Sequence, residues 1–474
     1  MSTPPASAGQ SPSRRSLAIP VGIDPFDRSS LSPERARAVS WVDQNVGRVV
    51  SLEEQARWRP CLYLEAEADG ATIPLYFRGD RGEADHGVYP LEHEMRVLQF
   101  LGQQELPVPH VYGFCPDPRG IVMERCPGRA DLGTAESEGE RESVLDQYVE
   151  FLAHMHSIPM SSLSSLGLPA PETPEALALG DFEHWERQYR RFKVRPEPLI
   201  EFALRWIRSN VPEGRSGGSL VHGDAGQFLF EKGRMTAVLD LELAYVGDPA
   251  ADFAGMLCRD LSEPLGDLRR ALKTYERCTG SAMDVRTVDY HTVRFGMCTP
   301  MVTAHLAAQP YSALNWPQYL GWYLVYGRVP IEVIAKLEGV ELDPPELPEA
   351  TVTRHAPAAA WLPATLEAAI SNLDDPTVHY QVDAALRGAQ YLERVDRFGA
   401  ELEERSLEEA AKLLGYRPAN WEATDAAVEE WVLKAPPGRN AEILRLLHRH
   451  ALRQEFLLAP AMREIEGAAV QRLD

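Results

Sequence analysis

The chain has 474 residues, 44% of them hydrophobic, and 48 basic against 70 acidic residues give a formal net charge of -22. That length exceeds one compact core, so two or three domains are expected. The acidic balance excludes general electrostatic binding of nucleic acid or anionic membranes, and no apolar run approaches a membrane span.

The opening MSTPPASAGQSPSRRS is rich in Ser and Pro, lacks the apolar core of a secretory signal, and reads as a disordered tail over residues 1–22. A lead-in helix containing Ser40 to Val46 is expected between Ile23 and Val50. Trp58 to Gly79 reads as two strands around an Asp69-Gly70 turn, a strong hairpin signal, with Arg78 closing the second strand. Leu91, Met95, Leu98 and Leu101 recur at helical spacing, and Glu94 falls on that helix. Strands around Val111–Phe114 and Gly120–Glu124 follow, the last carrying Met123. Val144 to His156 is an amphipathic helix. His154 and His156, two residues apart, point to different helix faces and read as cap or solvent residues.

Phe182 to Val211 combines aromatic and basic residues and reads as amphipathic helix. Asn315 to Val325 (NWPQYLGWYLV) is unusually aromatic, suited to core packing or to lining an apolar substrate. Beyond Leu342, DPPELPEATVTRHAP is proline-rich and acidic, a linker by composition over 343–360. The remainder, 361–474, is helical by pattern, with one long run from Thr377 to Glu404, and reads as a dimerisation or partner-docking bundle. The six cysteines are scattered without a C-x-x-C pair, as expected of reduced cytoplasmic thiols.

The densest signal is Ser219 to Ala254, SLVHGDAGQFLFEKGRMTAVLDLELAYVGDPAADFA. Asp224 follows a strand-like SLV run and His222-Gly223, which places a carboxylate on a loop leaving the core. Held there, it can take the proton of an attacking alcohol. Gln227 precedes the apolar run Phe228-Leu229-Phe230, a turn at Glu231 to Arg234 follows, and Asp240 ends the returning strand. Magnesium prefers oxygen donors and is usually held by one or two carboxylates plus substrate phosphates. Asp240 offers a carboxylate and Gln227 an amide oxygen.

HGD, an amide residue, an apolar trio, a strand ending in D-x-E and a downstream GDPxxDxA together resemble the aminoglycoside phosphotransferase-like (choline kinase-like) small-molecule kinases of the protein kinase-like superfamily. The resemblance covers roughly Trp58 to Tyr326. It implies Asp224 as the catalytic aspartate, Gln227 and Asp240 as metal residues, and Arg78 with Glu94 placing the nucleotide's phosphates, Met123 lying at the hinge. Glu242 fills the second acidic position of D-x-E. Asp248 and Asp252 of the GDPxxD turn are read as structural.

One departure stands out. Only Ala225 and Gly226 separate HGD from the amide, where the family usually has four residues and an asparagine. Gln227 then either reaches the ion with its longer side chain or is not a ligand.

The resemblance implies an α+β, bilobal protein kinase-like fold with a small β-rich N-lobe and a helical C-lobe, followed by an appended all-α domain. The blocks are 23–124, 125–342 and 361–474. The implied activity is transfer of the γ-phosphoryl group of ATP or GTP, with Mg2+, to a hydroxyl of a small molecule in the cytoplasm. An aminoglycoside, an amino alcohol and a hydroxyacyl thioester are all chemically allowed, and Trp316, Trp322 and Tyr323 favour a partly apolar alcohol. The alternative is a catalytically weak relative that binds nucleotide and works through its last helices.

Overall fold

The computed structural model describes residues 27–55, 59–82, 88–312 and 314–474. The expected tail over 1–22, residues 23–26 of the lead-in segment, and Trp58 lie outside them. The chain divides into two compact units, one of Met1–Asp80 with Tyr112–Glu124, the other of Arg81–Val111 with Arg125–Asp474.

The first unit is a helix and a five-stranded sheet. Ser32 caps the helix Pro33–Asn45 by accepting from the Arg35 N–H, and Pro33 starts it where its missing donor costs nothing. The strands are β1 (Arg48–Gln55), β2 (Cys61–Ala68), β3 (Ala71–Gly79), β4 (Val111–Pro116) and β5 (Arg119–Glu124), in the order β1-β2-β3-β5-β4. The hairpin at Asp69-Gly70 is as expected. Both residues have positive φ, 51° and 80°, as a turn matched to strand twist requires, and Ala68 pairs with Ala71 across it.

Alternation then builds the core of this unit. Leu62, Leu64 and Ala66 of β2, with Leu75 and Phe77 of β3, point to one face and meet Ala38, Val39 and Val42 of the helix. Gly120 is obligatory beneath them, since a Cβ there would lie 2.2 Å from the Phe77 ring.

The second unit begins with Arg81–Val111 and so includes the helix Leu91–Gln103, which the expected 23–124 block had grouped with the strands. Its buried face holds Leu91, Val97, Leu98 and Leu101 together with His93 and Glu94. Two small ladders follow the long helix Glu138–Ser157: β6 (Ser219–Val221) pairs with β9 (Tyr245–Gly247), and β7 (Phe228–Glu231) pairs with β8 (Arg234–Val238). The β7–β8 turn uses Lys232 and Gly233, both at positive φ. The helix Ala250–Arg259 opens directly from the GDP turn.

The final helices, expected as a domain of their own, fall in this same unit. Pro376–Arg394 and Ala400–Leu414 are separated by a π-helical stretch at Val395–Gly399, where one continuous run was expected. Ala410, Val428, Val432, Ile443, Leu444 and Leu458 share one apolar cluster with Phe202, Ile207, Val325 and Val329. Polar ties reinforce the join: the Arg205 guanidinium donates to the carbonyls of Val432 and Ala435, each at 2.6 Å, and to Asn440 Oδ1 at 2.8 Å. A β-rich first unit and a helical second unit with added helices at the end are the expected α+β class.

Candidate active site

The loop between β6 and β7 is held by one buried carboxylate. Asp252 Oδ2 accepts the His222 backbone N–H at 2.9 Å and Oδ1 accepts that of Gly223 at 3.0 Å. Oδ2 also takes Nε2 of His156 at 2.9 Å, and the His156 Nδ1 meets the Tyr275 hydroxyl at 2.8 Å. Burial alone would raise the Asp252 carboxyl, but the His156 bond and the nearby imidazoles bring it below its usual value. An ionised carboxylate with this many donors fixes the backbone through strong charge-assisted bonds. His156, read as a cap or solvent residue, is instead a buried brace.

His222 ties this loop to the next one. Its Nε2 lies 2.9 Å from the Leu239 carbonyl and 3.3 Å from that of Asp240, so this nitrogen is the donor, carbonyls only accepting. Nδ1 then accepts from the Tyr148 hydroxyl at 2.8 Å, and the Tyr148 oxygen takes the Gly226 N–H at 2.7 Å. Gly223 has no room for a side chain: a Cβ would lie 2.2 Å from the Leu243 carbonyl oxygen. The HGD loop therefore lies directly on the D-x-E loop.

Asp240 is left-handed, at φ 60° and ψ 50°, although it is not glycine. A non-glycine residue there costs about 1–3 kcal/mol and persists only where its surroundings over-determine it, which is typical of functional sites. Glu242 forms a salt bridge with Arg81. Asp248 accepts two bonds from Arg215, at 2.7 and 2.6 Å; burial opposes its ionisation, and the Arg215 pair outweighs it. Nε2 of His93 bonds the Ala244 carbonyl at 2.7 Å and anchors the helix that carries Glu94. Burial pushes His93 down to about 4, so it stays neutral.

Asp224 is partly exposed and carries two partners on one oxygen. Nε2 of Gln227 donates to Oδ2 at 2.8 Å, and the Arg259 guanidinium pairs with the same oxygen. Arg259 was not foreseen. A signal for it existed: it lies seven residues after Asp252 on the helix Ala250–Arg259, two turns along the same face. The shortened loop fits around it, since a Cβ on Gly226 would lie 3.1 Å from Arg259 Cγ and 3.0 Å from Leu265 Cδ1.

The six residues singled out from sequence thus divide between the units. Arg78 on β3 and Met123 on β5 are buried in the first, where Arg78 pairs in register with Ile121 and Met123 with Tyr76. Glu94, Asp224, Gln227 and Asp240 belong to the second, and there Asp224 and Gln227 are in direct contact.

Residues 83–285, which contain this whole loop system, match the phosphotransferase enzyme family. The match takes in less than half of the chain. The chain is similar to parts of acyl-CoA dehydrogenase family member 10 of Mus musculus, at 31% identity over 35% of this chain and 16% of that protein, and of acyl-CoA dehydrogenase family member 11 of Gallus gallus, at 26% over 48% of this chain and 30% of that protein. The chain spans less than a third of the length of these relatives. A putative aminoglycoside phosphotransferase from Ralstonia eutropha JMP134 superposes with a TM-score of 0.49 at 21% identity, covering 64% of this chain and 98% of its own.

The phosphotransferase family that residues 83–285 match makes a divalent ion, brought with a nucleotide, an expectation for this chain. Among the described residues no group of three or more His, Cys, Asp and Glu converges on one point. Magnesium does not require such a group, because one or two carboxylates plus phosphates and water complete its octahedron. Asp240 carries a carboxylate and Gln227 an amide oxygen, donors of the kind that ion takes. No helix among the described residues is long and apolar enough to cross a membrane.

Proposed function

We propose that the protein transfers the γ-phosphoryl group of ATP or GTP to a hydroxyl of a small molecule. The observation that carries this reading is the pairing of loops. Asp252 holds the backbone of the loop bearing Asp224, His222 ties that loop to the loop bearing Asp240, and Asp240 sits in the left-handed region.

In this reaction the acceptor's O–H proton passes to Asp224. The acceptor oxygen bonds the γ-phosphorus as the bond to the bridging β–γ oxygen breaks, and the nucleoside diphosphate leaves. Positioning and charge stabilisation do most of the work in such transfers. Arg259 and Gln227 both bind Oδ2 of Asp224, so they fix the carboxylate's orientation and leave proton acceptance to Oδ1. Asp240, with Gln227, would hold a magnesium ion, which when bound offsets charge on the phosphate oxygens. In this proposal Arg78 and Glu94 place the phosphates and Met123 lies at the hinge, and the protein acts in the cytoplasm. The test is γ-labelled ATP offered with a metabolite library: magnesium-dependent labelling of an alcohol is expected, and no labelled product from any hydroxyl compound contradicts the reading.

The Arg259 pair on Asp224 favours a second reading, a protein that binds nucleotide and transfers phosphate poorly, its last helices being the working surface for a partner or a second copy. Under it, ATP with magnesium raises the melting temperature while turnover stays at the level of Asp224→Asn.

A further inference from the structure

Every residue of the helix Ala356–Ile370 except Thr365 and Glu367 is apolar. A helix apolar all round belongs inside a core, and this one lies outside. Pro363 is its single buried residue, while Trp361 is 64% and Leu362 39% exposed. Among the described residues, none from this helix joins the apolar cluster that holds other final helices to the second unit.

The helix has two faces. Ala356, Ala359, Pro363, Leu366 and Ile370 are the less exposed set, spaced three and four apart as a face packed on Pro376–Arg394 requires. Ala358, Trp361, Leu362, Thr365, Ala368 and Ala369 repeat that spacing on another face, and all six are exposed. The second stripe is presented on a fixed element. Just before it, the Thr353 hydroxyl donates to the Asp396 carboxylate at 2.7 Å and the Thr351 N–H to the Arg397 carbonyl at 3.0 Å, which moors the helix to the π-helical stretch.

Charge decides what can cover the stripe. At a net charge of -22, two copies of the chain repel each other over most of their surfaces. The stripe itself is uncharged, and its two ends carry opposite signs. Arg354 before the helix and Asp374 after it are both exposed, and among the described residues neither is in an ion pair. Two such helices laid antiparallel about a two-fold axis bring the basic start of each to the acidic end of the other. That is the self-complementary pattern an isologous contact needs. With the axis at Thr365, Trp361 falls opposite Ala369 of the second copy and Leu362 opposite Ala368, large side chains over small ones. A lipid surface would use the stripe but not the charges at its ends.

We propose that the chain is a homodimer paired through the exposed stripe of Ala356–Ile370, antiparallel about a two-fold axis at Thr365. This stands independently of phosphoryl transfer, since none of the residues assigned to that reaction lies on this helix.

Sedimentation of the full chain at micromolar concentration is expected to give twice the chain mass. Trp361→Glu is expected to weaken association about a hundredfold or more, each copy losing one buried anchor, with circular dichroism showing the helices intact. Arg354→Asp is expected to weaken it about tenfold, and Arg354→Asp combined with Asp374→Arg to restore it. Cys278 is exposed while the other cysteines are buried or half-buried. Thr365→Cys is therefore made in a Cys278→Ser chain. Diamide, which takes up the two thiol hydrogens as the S–S bond forms, is expected to link that chain into a covalent dimer. A monomer throughout this concentration range overturns the proposal. So does a dimer indifferent to Trp361→Glu and to the charge exchange, which would place the contact elsewhere. A monomer that binds phosphatidylcholine vesicles through Trp361 overturns it in favour of a lipid surface.

Discussion

Two regions of the second unit hold their side chains by different means. The paired loops of Asp224 and Asp240 are fixed by hydrogen bonds to single buried groups, Asp252, His222 and Tyr148, each serving several donors or acceptors. The last helices are fixed chiefly by an apolar cluster that many residues share, with arginine-to-carbonyl ties at its edge. The first arrangement is brittle and geometrically exact in its demands; the second is redundant. Removing one polar partner from a buried network leaves the others unsatisfied, while a shared apolar core spreads any loss over many contacts.

That contrast is sharpest at Asp252. Asp252→Asn takes away one of the two carboxylate oxygens and is expected to cost about 3–5 kcal/mol of stability, the range for breaking a buried charged pair, and to lower kcat about a hundredfold. Thermal unfolding and single-turnover rates measure the two losses. A fully stable, fully active variant would break the comparison.

Arg259→Ala comes next. It is expected to lower kcat about tenfold with little change in the KM for ATP, since the guanidinium acts on Asp224, the proton acceptor, rather than on the nucleotide. Arg259→Lys keeps the charge without the planar fork and should recover only part of the loss.

A third variant reaches the same loop from the end of the described chain. Nε2 of Gln471 donates to Asp260 Oδ2 at 2.8 Å and to the Gly266 carbonyl at 2.6 Å, and its Oε1 accepts the Leu268 N–H at 3.2 Å. This clasps the stretch that follows Arg259 and includes Leu265, which packs on Gly226. Gln471→Ala is expected to lower stability by about 1–2 kcal/mol and kcat by about threefold. An unchanged kcat beside a lowered melting temperature would show that the clasp serves the fold alone.

The smallest effect concerns Asp425, in the redundant region. Burial pushes its carboxyl from 3.8 up to about 6, against the pull of Arg195. An acid raised on folding keeps a proton that the unfolded chain has already released, so stability declines as pH rises through the window from about 4 to 6. Asp425→Asn is therefore expected to raise the melting temperature at pH 7.5 and to leave it unchanged near pH 4. An equal gain at both pH values would trace the effect to something other than this carboxyl.

Legibility from the sequence follows the same division. The order of HGD, Gln227, Asp240 and GDPxxD survives in one dimension because each residue must follow its neighbour onto a loop or strand end. The hairpin at Asp69-Gly70 is legible for a similar local reason, positive φ at two successive residues. His156 is different: its importance comes from Asp252, 96 residues away, and periodicity states only which helix face a residue occupies. The same limit explains Trp316, Trp322 and Tyr323, read together as favouring an apolar substrate. The Ala307 carbonyl and Glu197 claim the polar atoms of Trp316 and Tyr323, and Trp322 and Tyr323 pack on the shared apolar cluster. The final helices were recognised as helices, but their shared core depends on contacts between residues more than a hundred apart, and no local pattern encodes that.

The central claim is that Asp224 and Asp240 serve one phosphoryl transfer. Its most direct measure is magnesium-dependent consumption of ATP by the wild type, Asp224→Asn and Asp240→Ala, each shown folded by its thermal unfolding. The account predicts slow turnover in the wild type and a drop of about a hundredfold or more in both variants. Unchanged turnover in either one would contradict it.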